Sequence, residues 1–360
     1  MRVRSELSWR RLVVGILALA TLPALLAFAA VNYRSPDLPP GPASYNPVPL
    51  HKVPVLTALQ SRELQRSRRI TGLAPTFTAP TLVPPTFPEP VPTIVLPPRA
   101  TAYDLSEVRT LLPAAFGTAG NAVLLQASIE VPAGAQLIVD SATTPRLRML
   151  SSKTAYTTMI ARGGTLTLRG SKEIPLQIST WDPDVQGVDL QPADGRSFLL
   201  AWGGRMDITY ADIGYLGYGT GTSSGVAWRG GEHPVGQTGT PATGDVRNSV
   251  LHNNWFGAYT FEALGMQWTG NTFRDNSGYG FDPHDSSDDF LVAENVATRN
   301  GRHGFIFSRG CDRNVLRNNI AYDNRGHGFM IDDGRSEDSE TAAARQEASN
   351  DNVLQGNRAY

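Results

Sequence analysis

Cysteine is nearly absent from this chain of 360 residues: Cys311 is the only one. An internal disulfide and a cysteine-based zinc site are therefore excluded. Excess charge is also missing. A net charge of −1 gives no electrostatic case for nucleic acid or for a strongly acidic partner surface. An anionic partner has to be met by local arginines and histidines. The regular leucines of leucine-rich repeats are lacking, and so are glycine–aspartate nonapeptides that bind calcium. Cys311 falls near a bend between short strands, where a small, semi-buried residue fits.

Long apolar runs are scarce too, with one exception. Arg2, Arg4, Arg10 and Arg11 lie in residues 1–11, and residues 12–31 that follow carry no charge. That length fits a membrane span, and the basic flank places the N-terminus in the cytoplasm. Ala27-Phe-Ala29 also resembles a signal-peptidase site, although the apolar run is longer than an ordinary signal peptide requires. Anchor and cleaved signal both stand, and both make the remainder extracytoplasmic. Prolines crowd residues 32–100, which read as an extended, semi-rigid linker. One short helix is expected in it over Leu56–Ile70, ending in Arg66, Arg68 and Arg69. Residues 101–118 read as a capping helix, with Asp104 and Ser106 at its start and Pro113 as its breaker. Such a cap would cover an open sheet edge.

Residues 119–360 are organised by repetition. Asn271, Asn295 and Asn319 follow one another at a constant step of 24, and Asn248 stands 23 before Asn271. Asn253, Asn276, Asn300 and Asn324 form a second such column; Gly257, Gly280, Gly304 and Gly328 form a third. A fixed period of this size means stacked units. Short β-branched and aromatic runs separated by Asn and Gly predict an all-β fold, a parallel β-helix with coils of about 24 residues. Asn suits the bends, because it tolerates left-handed backbone and can bond its neighbours in the stack. Irregular early strands are expected at Val123–Gln126, Gln136–Val139, Thr165–Leu168, Leu176–Ile178 and Phe198–Ala201, and turns over Gly214–Gly244. The interval from Asn319 to Asn357 is 38, one coil plus 14, which places an acidic insertion within Gly334–Asn350 as a lid or a surface loop. No cap is evident before Tyr360, so either a partner covers that end or the chain is shorter than a whole protein of its kind.

Stacking turns the period into a map. Equivalent residues of successive coils lie about 4.7–4.9 Å apart. Tyr279 then falls beside His303 and His327; Asp285 beside Arg309 and Asp333, with Glu262 one coil earlier; His284 beside Ser308 and Asp332. Phe281, Phe305 and Phe329 form an apolar column, and Trp268, Val292 and Leu316 another. The expectation is a polar strip on one outer face over an apolar interior.

The strip is richest in Tyr279-Gly-Phe-Asp-Pro-His-Asp285. This stretch resembles the signature of the mannuronan C5-epimerases. The resemblance runs from about Gly195 to the end, through Leu200-Ala-Trp-Gly-Gly204, Leu216-Gly-Tyr218, Arg302-His-Gly304 and Ser308-Arg309. It implies a right-handed parallel β-helix that converts mannuronate to guluronate within alginate. It also implies that His284 is the base, Arg309 the neutraliser of the substrate carboxylate, and Tyr279 a catalytic partner. The family's secreted, calcium-dependent branch carries acidic residues at the positions of His303 and Arg309. This chain is therefore closer to the periplasmic branch, for which no metal or other cofactor is expected.

The residue types fit that chemistry. Epimerisation removes a proton alpha to a carboxylate, and the developing charge must be stabilised. Arg309 can bind a carboxylate through a two-pronged fork, and His284 titrates near neutrality. Asp282 or Asp285 would orient the imidazole; Tyr279 or a water would return the proton. Arg302, His303, His327, Asp332 and Asp333 would line the binding strip for an anionic polysaccharide. Plainer readings remain: Asp282-Pro283 as a turn, the Tyr–His–His column as a solvated ladder, and Arg309 as a cross-strand ion pair. Three functions stay open: an epimerase, a lyase that shares the proton abstraction, and a non-catalytic polysaccharide-binding β-helix.

Overall fold

A computed structural model describes residues 54–219, 221–234, 237, 239–333 and 348–360. The basic segment, the apolar run of residues 12–31 and most of the acidic insertion lie outside the described residues. Among those described, no helix is long and apolar enough to cross a membrane.

Three long sheets of ten, nine and ten strands run the length of the molecule. Successive coils contribute successive strands, so nearly all pairings are parallel. Among the described residues, antiparallel strand pairs lie near the N-terminal end, where Thr81–Val83 meets Thr93–Val95 and Phe116–Ala119 meets Ala122–Leu125. One face of every strand points inward. Leu137, Leu166, Ile208, Trp268, Phe281, Phe305 and Leu316 share one buried core. Each such side chain contributes about 1.5–3 kcal/mol by leaving water. The expected columns hold: Trp268 pairs with Val292 and Val292 with Leu316, while Phe281 pairs with Phe305 and Phe305 with Phe329.

The asparagines are structural. Asn295 donates to Trp268 O at 2.8 Å and to Asn319 Oδ1 at 3.0 Å, and it accepts from the backbone and side-chain nitrogens of Asn271 at 2.9 Å. Asn276, Asn300 and Asn324 repeat this at the next bend. The glycine column follows from the same ladder. A Cβ on Gly280 would stand 2.6 Å from Gly304 O and 2.8 Å from Asn300 Nδ2.

Two members of the columns were misplaced by one residue. Ser249, not Asn248, bonds Asn271, and Asn254, not Asn253, bonds Asn276. Val250 pairs with Thr272, so this coil has a step of 22 in that sheet rather than 23. Asn248 and Asn253 occupy the preceding left-handed corner positions, with φ of 50° and 51°. The long interval is as expected: Asn319 N donates to Asn357 Oδ1 at 2.9 Å.

The linker reading of residues 32–100 fails from Pro54 onward. Helix α1 (Pro54–Thr71) lies against the first sheet, and Arg66 is buried between Glu63 and Glu130 while donating to Thr93 and Thr158. Thr93–Val95 is a fully buried strand paired with Ser128–Pro132. The prolines flank these elements rather than building an extended spacer. Helix α2 (Leu105–Leu111) starts on Asp104, whose carboxylate accepts from Ser106 N at 2.8 Å, and it buries Leu105 and Val108 in the main core. Gly214–Gly244 is not all turn: Gly225–Arg229 is a strand of the first sheet. Cys311 is wholly buried rather than semi-buried, and burial pushes its thiol pKa up.

Candidate active site

The site lies on the outer face of the first sheet, on strand Phe281–His284 and its neighbours Phe256–Phe261 and Phe305–Ser308. Alternation along the strand decides the orientation. Phe281 points into the core, so Asp282 and His284 point out. The strand then breaks into left-handed backbone, with φ of 34° at Asp285 and 57° at Arg309. Both residues thus sit at one corner, in adjacent coils, next to the imidazole.

Asp285, not Asp282, holds that ring. His284 Nδ1 lies 2.6 Å from Asp285 Oδ2, and Arg309 Nη2 lies 2.7 Å from the same oxygen. A carboxylate only accepts, so Nδ1 carries the proton, which in a neutral ring leaves Nε2 as the acceptor, with Arg309 Nη2 3.4 Å from it. Arg309 Nη2 also stands 3.0 Å from Nδ1. Its Nε is buried without a hydrogen-bond partner among the described residues. A buried donor without an acceptor, on a guanidinium next to an imidazole, can take its acceptor from a ligand.

Asp282 lies between these groups and Tyr279. Burial pushes its carboxyl up to about 7, against the pull of His284, Arg309 and Arg302. Its Oδ1 has no hydrogen-bond partner among the described residues. Tyr279 accepts from Arg302 Nη1 at 3.1 Å, and burial raises its phenol pKa, with the Asp282 charge adding to the rise. The Tyr–His–His column is real: Tyr279 stacks on His303 at 5.5 Å and His303 on His327 at 5.0 Å. His303 Nδ1 accepts from His327 N at 2.7 Å. Burial, then the neighbouring His327 and Arg302, lower the His303 pKa. Asp332 pairs in register with Ser308, which pairs with His284; Asp333 follows at the corner after Asp332. The structure therefore brings Tyr279, Asp282, His284, Asp285, Arg302, His303 and Arg309 onto one face. His327, Asp332 and Asp333 stand one or two coils beyond.

Sequence reasoning missed Tyr259. It pairs in register with Asp282, and its ring centroid lies 5.8 Å from that of His284. The same backward step that links Asp285 to Glu262 would have found it. It also missed His233, whose Nε2 lies 2.8 Å from Glu262 Oε2, one coil before Asp285. No periodic signal marks that residue. Among the described residues, no three of His, Cys, Asp and Glu stand together as a metal site.

These features define a parallel β-helix with a histidine–carboxylate–arginine centre on an outer sheet face. Comparison with known proteins agrees. Residues 220–344 match the family described as right handed beta helix region. A mannuronan C5-epimerase of Pseudomonas fluorescens is 34% identical over 153 residues, 41% of this chain and 28% of that protein. Mannuronan C5-epimerase AlgG of Azotobacter vinelandii is 37% identical over 123 residues, 33% of this chain and 23% of that protein. The crystal structure of the periplasmic alginate epimerase AlgG superposes with a TM-score of 0.58 at 24% identity, over 74% of this chain and 64% of that one, and supports the fold. Over its β-helix the chain is similar to proteins named mannuronan C5-epimerase. These matches span only about a quarter of the length of those two curated relatives.

Proposed function

We propose that this chain epimerises uronate residues at C5 within a polysaccharide, converting mannuronate to guluronate in an alginate-like polymer. The observation that carries the reading is the shared Asp285 oxygen, which holds the imidazole of His284 and the guanidinium of Arg309 side by side. A base and a carboxylate binder are thereby fixed against each other before any substrate arrives.

Arg309 would take the substrate carboxylate, with its orphan Nε as an available donor, and would neutralise the charge that grows as C5 is deprotonated. His284 Nε2 would remove the proton, and the Asp285 carboxylate would stabilise the resulting imidazolium. Tyr279 suits the acid that returns a proton. Arg302 already donates to its oxygen, which favours the phenolate left behind and frees the O–H to donate. Asp282 forms the floor between base and acid. Arg302, His303, His327, Asp332 and Asp333 would border the polymer. This assignment needs no metal step. The relatives named mannuronan C5-epimerase support the substrate class.

We infer an extracytoplasmic place of action. The basic flank and the uncharged residues 12–31 support export, by anchor or signal peptide, and the AlgG relative of known structure is named periplasmic.

The test is hydrogen exchange at C5. The protein is incubated with polymannuronate in deuterated water, beside His284→Ala, and the product is read by proton NMR. Guluronate deuterated at C5, absent in the variant, is expected. Unsaturated chain ends would replace this reading with β-elimination. Absence of both in the wild type would overturn it for mannuronan.

A further inference from the structure

The outer face of the first sheet carries a row that ends at His284, and the proton transfers do not use its other members. Arg162, Trp202, Arg229, Phe261 and His284 are paired strand to strand, each in register with the next. The row alternates cation and aromatic ring. Arg162 stands 4.0 Å from the Trp202 ring centroid, with Arg68 at 5.8 Å, and Arg229 stands 4.4 Å from that of Phe261. The cations are not alike. Arg68 and Arg162 both pair with the carboxylate of Glu232. Arg229 has no carboxylate partner among the described residues; its one close contact of this kind is the Phe261 ring. It is half-buried and belongs to the same outer face as His284. A guanidinium resting on a ring keeps its in-plane N–H groups directed sideways, where they can fork onto a carboxylate.

Position adds to the chemistry. Arg229 lies two strands from His284, which at about 4.7–4.9 Å per strand is roughly 10 Å. A 1,4-linked β-uronate chain advances by nearly one strand spacing per sugar. Its successive rings face opposite ways, so every second carboxylate returns to the same side. We infer that Arg229 is a carboxylate subsite for the uronate two residues away from the reacting one, toward the N-terminal coils. The polymer then lies along the row, across the strands. The inference rests on the polyuronate reading of the His284 centre.

The experiment compares the full chain with Arg229→Ala and Arg229→Lys on mannuronate oligomers of increasing length. Turnover is followed by NMR, and binding by titration calorimetry. In the wild type, KM and Kd should fall once an oligomer is long enough to reach two sugars past the reacting one. Arg229→Ala should lose that gain, about tenfold for the removal of one charge-assisted contact, and the lysine variant should recover part of it. Melting temperatures of the three proteins identify a folding defect, in which case the lysine variant carries the comparison. Equal length dependence in wild type and alanine variant overturns the inference. So does wild-type binding of carboxyl-reduced oligomers as tight as that of the uronates. If oligomers bind in an Arg229-dependent way but no mannuronate is turned over at any length, the epimerase reading falls and the subsite stands.

Discussion

The coils after Asn271 and the coils before Asp245 are built on the same three sheets but follow different rules. In the late coils Phe281, Phe305 and Phe329 stack at a constant step of 24. In the early coils Ile129, Met159, Leu199 and Val226 stack equally well, at steps of 30, 40 and 27. The late bends are closed by buried asparagine ladders. On the early outer face the buried polar groups are a charged cluster, with Arg66 of helix α1 reaching Glu63 and Glu130. The difference shows that inward packing fixes the pairing, and that coil length is free wherever a loop can absorb the excess. The candidate site sits where the two regimes meet. His284, Asp285 and Arg309 lie in regular coils, and Arg229 lies in the last irregular one.

That contrast can be broken at several points. The largest effect is expected from His284→Ala, at the proposed base in the regular half. Loss of a general base predicts a fall of about 10²–10⁴-fold in C5 exchange, with little change in melting temperature. The NMR assay above reads the first and calorimetry the second. A loss of stability in step with the loss of exchange would mean that the histidine is structural.

Packing comes next. Leu168→Ala in the early core should cost about 2–5 kcal/mol. Asn295→Leu should cost as much, although it adds apolar surface. It leaves Asn271 N without its acceptor, takes one of two acceptors from Asn271 Nδ2 and removes the bond to Trp268 O, at about 1–3 kcal/mol for each buried group left unpaired. Urea denaturation gives the size, and hydrogen exchange the place: protection should fall around residues 271–319 for the asparagine variant. A harmless Asn295→Leu would show that the ladder is ornamental and that the core alone sets the late coils.

Asp282 gives a smaller, pH-dependent effect. Its carboxyl is pushed up to about 7 in the folded protein, against about 4 in an unfolded chain. Between those values the folded state holds the extra proton, so this group's contribution is fully present at low pH and is lost as pH rises from about 4 to about 7. Asp282→Asn should therefore stabilise the protein at pH 8 by up to about 4 kcal/mol, and by little at pH 4, while reducing exchange. Glu130, also pushed up to about 7 by burial, has the same sign in the early half, with Arg66 pulling the other way. Melting curves at several pH values read both. A variant that gains nothing at high pH would show that Asp282 is ionised without penalty.

The smallest effect belongs to the exposed corner pairs. Arg299→Gln removes a forked bond to Asp275, and such surface pairs are worth about 1 kcal/mol or less. A larger loss in a urea titration would mean that these corners, rather than the asparagines behind them, hold the bends.

Much of the site was legible from arithmetic. Because the late step is constant, Asp285 could be set beside Arg309, and Tyr279 beside His303, without a structure. The same arithmetic slipped by one residue at Asn248 and Asn253, where a shorter coil leaves asparagine at the corner and moves the ladder to Ser249 and Asn254. It had no purchase at Arg229. That strand follows coils of unequal length, and it pairs onward through a register shift between Gly225 and Ala227. The proline-rich segment misled for another reason. Its composition describes a spacer, but Thr93–Val95 within it completes a sheet and is buried.

The sequence by itself determined the period, the inward columns and the set of groups able to do proton chemistry, because a constant coil length makes distance along the chain equivalent to position in the stack. Only the tertiary structure decided that Asp285 rather than Asp282 holds His284, that Arg66 is buried under helix α1, and that Arg229 joins the row of His284. The cost of closing a loop rises only slowly with its length, so residues at variable separation are brought together at little penalty, and no spacing in the chain records it.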